Sequence, residues 1–389
     1  MAHQRGHFVF HAPLGVAIGY KPGFNQLKLH GDFGALLVTM RKLKKSKSTE
    51  PLRRAPKRPK SAGTTIDDIA AAARVSIATV SRYFNSPGML KVKTAKRVRD
   101  AVEKRGYVPS MVASGLASNK SHLVAAVVPV VSQSLFNSTV QGLSDALTDQ
   151  GYNVMLCLSG INDEYLHRQL MSIVGRRPDG IILTGTTVDP ASRKLLVRAG
   201  ISTIETWDLP ADPIDLVVGL SHEKVGIAIA RHAIATGRRR AFVISANGAR
   251  AQTRRDSFSR TMVESGAPEP IIATFPGSTT FGQGRTAVAA HLNEGRRPDL
   301  IVCSSDMCAQ GVIHELQRLG LRVPEDIAVI GFGDFGFAAD LTPSLTTIKI
   351  DGNRIGQQAV NFLMLRAQGK KIENPVVDIG FSLILRESG

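Results

Sequence analysis

The sequence predicts a small helical head followed by a parallel α/β body built in two halves. Three observations predict it. Residues 1–60 carry 13 Lys/Arg against 2 Asp/Glu, residues 61–120 carry 10 against 4, and the remaining 269 carry 26 of each, so the net charge of +17 lies wholly in the first third. Residues 64–105 show cap residues, helical spacing and a tight turn. From Leu123 onward, short apolar runs alternate with helical stretches. The 389 residues, 43% hydrophobic and 21% charged, are globular in composition and long enough for two or three domains with a sizeable core.

Several function classes are excluded at this level. No apolar run approaches the ~20 residues of a membrane-spanning helix. The first forty residues lack the charged start and apolar run of a secretory signal. Cys157, Cys303 and Cys308 cannot make a disulfide framework, no CxxC or Cys/His cluster suggests zinc, and they read as reduced core thiols. A cytoplasmic protein with no membrane partner, no metal and no cofactor is expected. None of the ten histidines sits in HExxH, no GxSxG or P-loop is present, and GFGDFG lacks the strand-to-helix setting of a dinucleotide site. A non-enzyme without catalytic residues is therefore expected.

Residues 1–63 form a basic extension. Arg41 to Lys60 is rich in Lys, Arg, Pro and Ser with almost no core-forming side chains, and is expected to be disordered. Residues 1–39 show no clear periodicity, and a true start at Met40 is an alternative to the full extension. A basic head on a neutral body points to a nucleic-acid-binding module, because released counterions drive binding to the phosphate backbone. For residues 41–60 alone, a solubilising tail explains the charge as well.

In the head, 64–109, Thr65-Ile-Asp-Asp68 reads as a helix start with Thr65 as cap and Asp68 three residues on. Ile66, Ile69, Ala70 and Ala73 then share one face. Arg74-Val75 makes a turn, and Ser76 caps a second helix running to Asn85. At about 100° per residue, Ile77, Ala78, Ser81, Arg82 and Asn85 fall on one side, and Val80, Tyr83 and Phe84 on the other. A third helix, near Lys93 to Lys104, turns Val98 and Val102 inward and stops at Gly106. Geometry alone allows either a helix-turn-helix, whose second helix enters a major groove, or an ordinary three-helix core.

The run TTIDDIAAAARVSIATVSRYFN, followed by LKVKTAKRVRDAVEKRGYVPSMVASGLAS, resembles the DNA-binding head of the LacI/GalR family of bacterial repressors. The resemblance implies a helix-turn-helix whose base-reading positions fall on Ile77, Ala78 and Arg82. An arginine can pair bidentately with guanine, while Ile77 and Ala78 offer apolar contact suited to thymine methyls. Thr65, Ser76, Thr79, Ser81 and Asn85 are assigned to phosphates and orientation. Residues 110–120 match the family's hinge, with Val112, Ala113 and Leu116 on one face and Leu116 at the position that wedges between base pairs in the minor groove. So short a helix is marginal alone, and Gly115 weakens it by roughly 0.5–1 kcal/mol, which makes it switchable. Arg74 stands where the family commonly has glycine, and Lys91 where it usually has a serine cap.

The body, 121–389, reads as strands at LVAAVVPV, YNVMLCL, GIILTG, STIETW, LVVGL, AFVIS, IIATF, LIVCSS and IAVIGF, with helices at QGLSDALTDQG and VIHELQRLG. Its landmarks, from RRPDGIIL (176–183) to GFSLILRES (380–388), are similar to the family's body throughout. That implies two Rossmann-like lobes of the periplasmic-binding-protein type with a ligand between them, beyond the carboxyl ends of the strands. Family positions place Ser132, Phe136, Trp207, Arg254, Ser305, Asp306, Gly333 and Asp334 around this cleft. A guanidinium fork at Arg254 would grip a carboxylate or vicinal hydroxyls; a solvated arginine is the plain alternative. Asp306 reads equally as a structural cap, and Phe136 and Trp207 as core.

Two departures bear on the ligand. Gly333 stands where neutral-sugar members usually have Asp, and Ser221-His222 where they have Asp-Asn. Losing carboxylates that would hold hydroxyls, while keeping Arg254, fits an anionic effector. "AGISTIETWD", "DLVVGLSHE", "LIVCSSD" and "IAVIGFGDFG" follow the pattern of the family's gluconate-operon repressors. The expectation is therefore a homodimer on palindromic double-stranded operator DNA, associated with the bacterial nucleoid when bound and controlled by gluconate, a ketogluconate or a phosphorylated relative. A neutral sugar, sugar phosphate or purine, acting as inducer or as co-repressor, is the alternative. The chain ends just after the RES of the last landmark with no leucine-heptad tail, so a dimer is expected rather than a tetramer. A periplasmic sugar receptor would share the body but not the helix-turn-helix.

Overall fold

The computed structural model divides the chain into two units, Met1–Gly63 and Thr64–Gly389. It describes residues 63–109, 120–130, 134–160, 163–186 and 189–389. The hinge residues Val112, Ala113 and Leu116, and Ser132 of the body, lie outside the described residues.

The head is three helices, α1 (Ile66–Ala73), α2 (Ile77–Asn85) and α3 (Val92–Arg105). Thr65 and Asp68 form a reciprocal capping box that satisfies orphan amides at the start of α1. Ser76 caps α2 by accepting from the Thr79 amide. Ile69, Ala70, Ala73, Val80, Val98 and Ala101 bury a small core, and Tyr83, Phe84 and Val102 pack against it. Both departures noted above are visible here. Arg74 ends α1 at φ 51°, the left-handed region that favours glycine. Lys91 precedes α3 without a side-chain cap. The carbonyls at the end of α1 are held instead by Arg97, whose guanidinium donates to Ala73 O and Arg74 O.

The body contains two six-stranded sheets. Lobe one holds β1 (Leu123–Val128), β2 (Asn153–Leu158), β3 (Gly180–Thr184), β4 (Ser202–Thr206), β5 (Leu216–Gly219) and, far along the chain, β11 (Val376–Asp378). Its strand order is β11-β5-β4-β3-β1-β2, with every printed pairing parallel. Lobe two holds β6 (Ala241–Ala246), β7 (Ile271–Phe275), β8 (Leu300–Cys303), β9 (Ala328–Phe332), β10 (Thr346–Lys349) and β12 (Ser382–Ile384). Its order is β12-β10-β9-β8-β6-β7, and only β10 with β12 is antiparallel. The chain therefore passes between lobes after β5, after β10 and between β11 and β12. These sheets are apolar along nearly their whole central strands because helices cover both faces.

The body helices are α4 (Asn137–Asp149), α5 (Asp163–Gly175), α6 (Pro190–Ala199), α7 (His222–Ala235), α8 (Ala249–Glu264), α9 (Phe281–Asn293), α10 (Asp306–Arg318) and α11 (Gly352–Ala367). Helix α7 packs on α8, and α11 packs on α4. The first contact is close enough to demand glycine. A Cβ on Gly226 of α7 would stand 2.1 Å from Ser257 Oγ and 2.2 Å from Arg254 O of α8. That approach fixes α8, and with it the arginines that α8 carries.

Candidate nucleic-acid interface and ligand cleft

On α2 the predicted division of faces is present. Val80 is buried, Tyr83 and Phe84 are half-buried, and Ile77, Ala78, Arg82 and Asn85 are exposed. Ile77 is 47% exposed, an apolar side chain presented to water at the first position of a capped helix. Ser76 and Thr79 join hydroxyls at 2.9 Å, and Asn85 Nδ2 donates to Ser81 Oγ at 3.3 Å, so the polar residues of the face are held in place. Thr65 is committed to Asp68. Nearby α3 and its flanks expose Lys91, Lys93, Lys96, Arg99, Lys104 and Arg105, which makes this head strongly cationic.

A cavity of about 480 Å³ lies where the carboxyl ends of strands from both sheets converge. Lobe one supplies Pro129 after β1, Gly185 after β3, and Trp207 and Asp208 after β4; lobe two supplies Asn247 and Gly248 after β6, Ser304 after β8 and Phe332 at the end of β9. Helix α8 enters with its first turns and contributes Arg250 and Arg254, one helical turn apart on one face.

Arg254 is anchored on both sides. Its guanidinium lies 3.8 Å over the Phe332 ring. Its Nη1 donates to His222 Nδ1 at 2.9 Å, and His222 Nε2–H donates to Trp207 O at 2.8 Å. An arginine only donates and a carbonyl only accepts, so these two bonds define one neutral tautomer of His222. Burial, reinforced by the charges of Arg254 and Arg250, pushes the imidazole down to about 2. Arg254 itself is brought to about 9, first by burial and then by Arg250, with Asp208 opposing.

Arg250 has a different environment. It sits 5.5 Å from the Phe136 ring centroid, beside Gly185 of lobe one. Its Nη1 is buried and has no hydrogen-bond partner among the described residues. Burial lowers its pKa while Asp208 raises it. Both arginines are half-buried as residues and line the cleft. Neither forms an ion pair among the described residues. Among the described lining residues, two desolvated guanidiniums face one carboxylate, Asp208, which leaves that lining one positive charge in excess.

Of the positions assigned to the cleft from sequence, Phe136, Trp207, Arg254 and Ser305 line it. Phe136 and Trp207 meet edge to face with centroids 5.1 Å apart, and Trp207 Nε1 donates to Thr139 Oγ1 at 3.0 Å, so both are held as core walls. Ser305 caps α10 through the Cys308 amide and bonds Thr279. Asp306, Gly333 and Asp334 are not brought to the cleft. Asp306 is fully buried, accepting from Phe335 N at 2.8 Å and Thr347 Oγ1 at 2.6 Å. Asp334 is turned to Arg386 at 2.7 Å and Lys349 at 3.3 Å. Gly333 supplies the φ of 133° that the loop needs. Sequence reasoning missed Arg250 and Asp208, and noted His222 only as a departure. The available signal was the spacing of Arg250 four residues ahead of Arg254 at the start of the helix after β6.

Fold and cleft together define a two-lobed small-molecule-binding body carrying a helix-turn-helix head. Residues 65–110 match the family model for bacterial regulatory proteins of the lacI family, and residues 230–389 match that for a periplasmic binding protein-like domain. An HTH-type transcriptional regulator GntR of Pseudomonas aeruginosa is 31% identical over 328 residues, covering 83% of this chain and 95% of that protein. The ribose operon repressor of Escherichia coli is 27% identical over 307 residues, 78% of this chain and 92% of that protein. A LacI-family transcriptional regulator from Silicibacter pomeroyi superposes with a TM-score of 0.78 at 27% identity, covering 84% of this chain and 99% of that one. The chain belongs to the LacI family of transcriptional regulators.

Proposed function

We propose that this regulator represses transcription as a homodimer on a palindromic operator and is released by a small sugar acid of the gluconate or ketogluconate type. The observation that carries the effector class is the pair of enclosed guanidiniums, Arg250 and Arg254, in a cleft whose described lining holds a single carboxylate. A polyhydroxy acid matches that excess charge, and Asp208, Asn247 and Ser304 can meet its hydroxyls. DNA reading falls to Ile77, Ala78 and Arg82, with Thr65, Ser76, Thr79, Ser81 and Asn85 on phosphates and orientation, supported by the exposed face of α2 beside a basic α3. The hinge 110–120 would intercalate Leu116, supported by Val112 and Ala113. Dimerisation is supported by the edge strands β2 and β7 and their flanking helices, where Leu156, Leu158, Met171, Val263, Ile271 and Ile272 are all exposed. No described helix is long and apolar enough to cross a membrane.

A neutral-sugar effector is the second reading, favoured by the similarity to a ribose operon repressor. Footprinting on DNA upstream of the protein's own gene and of neighbouring sugar-acid genes tests the proposal. Two protected half-sites related by a dyad, with protection lifted by gluconate and not by ribose, are expected. Protection lifted by ribose alone would move the effector to the neutral class, and unprotected DNA throughout would remove the repressor reading.

A further inference from the structure

Resting on that effector reading, we propose that Arg250, rather than Arg254, takes the effector's acid group and determines its preference for acids over neutral polyols. Four observations converge on it. Arg254 already spends Nη1 on His222 and its face on Phe332. Arg250 Nη1 is enclosed in the cleft and has no acceptor among the described residues, a buried donor that a ligand oxygen would satisfy. Arg250 is rooted on α8 of lobe two yet reaches Phe136 and Gly185 of lobe one. An anion bound there touches both lobes at once. Among the described lining residues the one carboxylate is Asp208, which accepts from the Leu209 amide and, though its charge raises the Arg250 pKa, forms no ion pair with it.

The two arginines thereby divide the work. Arg254 is a positioning residue: the run from its Nη1 through His222 to Trp207 O connects α8 to the end of β4 and orients the cleft wall whichever ligand enters. Arg250 contacts the ligand's charge. A carboxylate accepting a fork of charge-assisted bonds in a desolvated site outbinds the same chain ending in a hydroxyl by roughly 10- to 100-fold.

Calorimetric titration of the full chain, its Arg250→Gln, Arg250→Lys and Arg254→Gln variants tests this, using sodium D-gluconate, 6-phosphogluconate and D-glucitol as probes. The wild type is expected to prefer at least one acid over glucitol by about 10- to 100-fold. Arg250→Gln should abolish that preference by lowering acid affinity about 10- to 100-fold more than glucitol affinity, and Arg250→Lys should restore part of it. Arg254→Gln should weaken acid and polyol binding alike. If Arg254→Gln instead erases the acid preference while Arg250→Gln keeps it, the division of roles is overturned and the sugar-acid reading stands. If the wild type binds glucitol as tightly as either acid, or binds no probe, the sugar-acid reading falls and this assignment falls with it. Melting curves of each variant without ligand separate loss of binding from loss of fold.

Discussion

Asp306 offers a test that separates a structural carboxylate from a ligand-binding one. Its side chain is fully buried at the start of α10, bonded to Phe335 N and Thr347 Oγ1. Burial, opposed by those two hydrogen bonds, raises its pKa from 3.8 to about 6. The protonated form is thus favoured by the fold, so the contribution to stability is complete below the unfolded value and declines as pH rises through the folded one. Between pH 4 and pH 7.5 this single group costs about 2 kcal/mol. Asn in its place keeps both bonds, because Oδ1 accepts from the Phe335 amide and Nδ2 donates to a rotated Thr347 hydroxyl. Asp306→Asn should therefore gain on the wild type by about 2 kcal/mol on going from pH 4 to pH 7.5. Urea unfolding followed by fluorescence of Trp207, the chain's one tryptophan, reads the lobes directly. A gap between the two proteins that stays constant with pH would refute the buried, bond-committed picture. So would a large loss of gluconate affinity in the variant.

Other outcomes follow from the same geometry. Gly226→Ala drives a methyl into Arg254 O and Ser257 Oγ and should cost several kcal/mol, about 3 or more, whereas Gly248→Ala, with nothing within 4 Å of the new Cβ, should melt like the wild type. Arg82→Ala should weaken specific operator binding by about 1–3 kcal/mol and relax the preference at one base pair, while Lys93→Ala should weaken all DNA alike and flatten the salt dependence, both read by anisotropy titration at several salt concentrations. His222, held neutral down to about 2, should leave effector affinity flat between pH 8 and pH 5.5. Its depressed pKa also means that the unfolded chain binds a proton below 6.5 that the fold refuses, so this group lowers stability as pH falls. A titration in effector affinity centred near 6.5 would contradict the bond from Arg254.

The head was legible almost residue by residue, because caps, faces and turn are local. Thr65, Asp68 and Ser76 announce their helices, and the 100° rule separates Val80 from Arg82 without any tertiary information. In the body, the longer apolar strands were equally legible, since a strand buried on both faces needs an unbroken apolar run. Strands β10, β11 and β12 were not singled out: TTIK, VVD and SLI are three or four residues long and pair only because distant segments return to each sheet. The cleft was legible in place and not in membership. Strand ends locate it, but whether Asp306 or Asp208 faces inward depends on which backbone amides claim each carboxylate. The role of Arg250 is hidden for the same reason: nearby Arg255 is also half-buried but pairs with Asp256, whereas Arg250 lines the cleft with an unpartnered Nη1, a property of both lobes together.

If DNA and a sugar acid compete through one molecule, linkage makes the competition measurable. Fluorescence anisotropy on operator DNA with and without gluconate gives one coupling factor, and gluconate titration with and without operator gives the other. Tight, salt-sensitive binding that gluconate weakens is expected, with the two factors equal and worth about 1–3 kcal/mol. Operator binding that is tight and indifferent to gluconate, ketogluconates and their phosphorylated forms would contradict it.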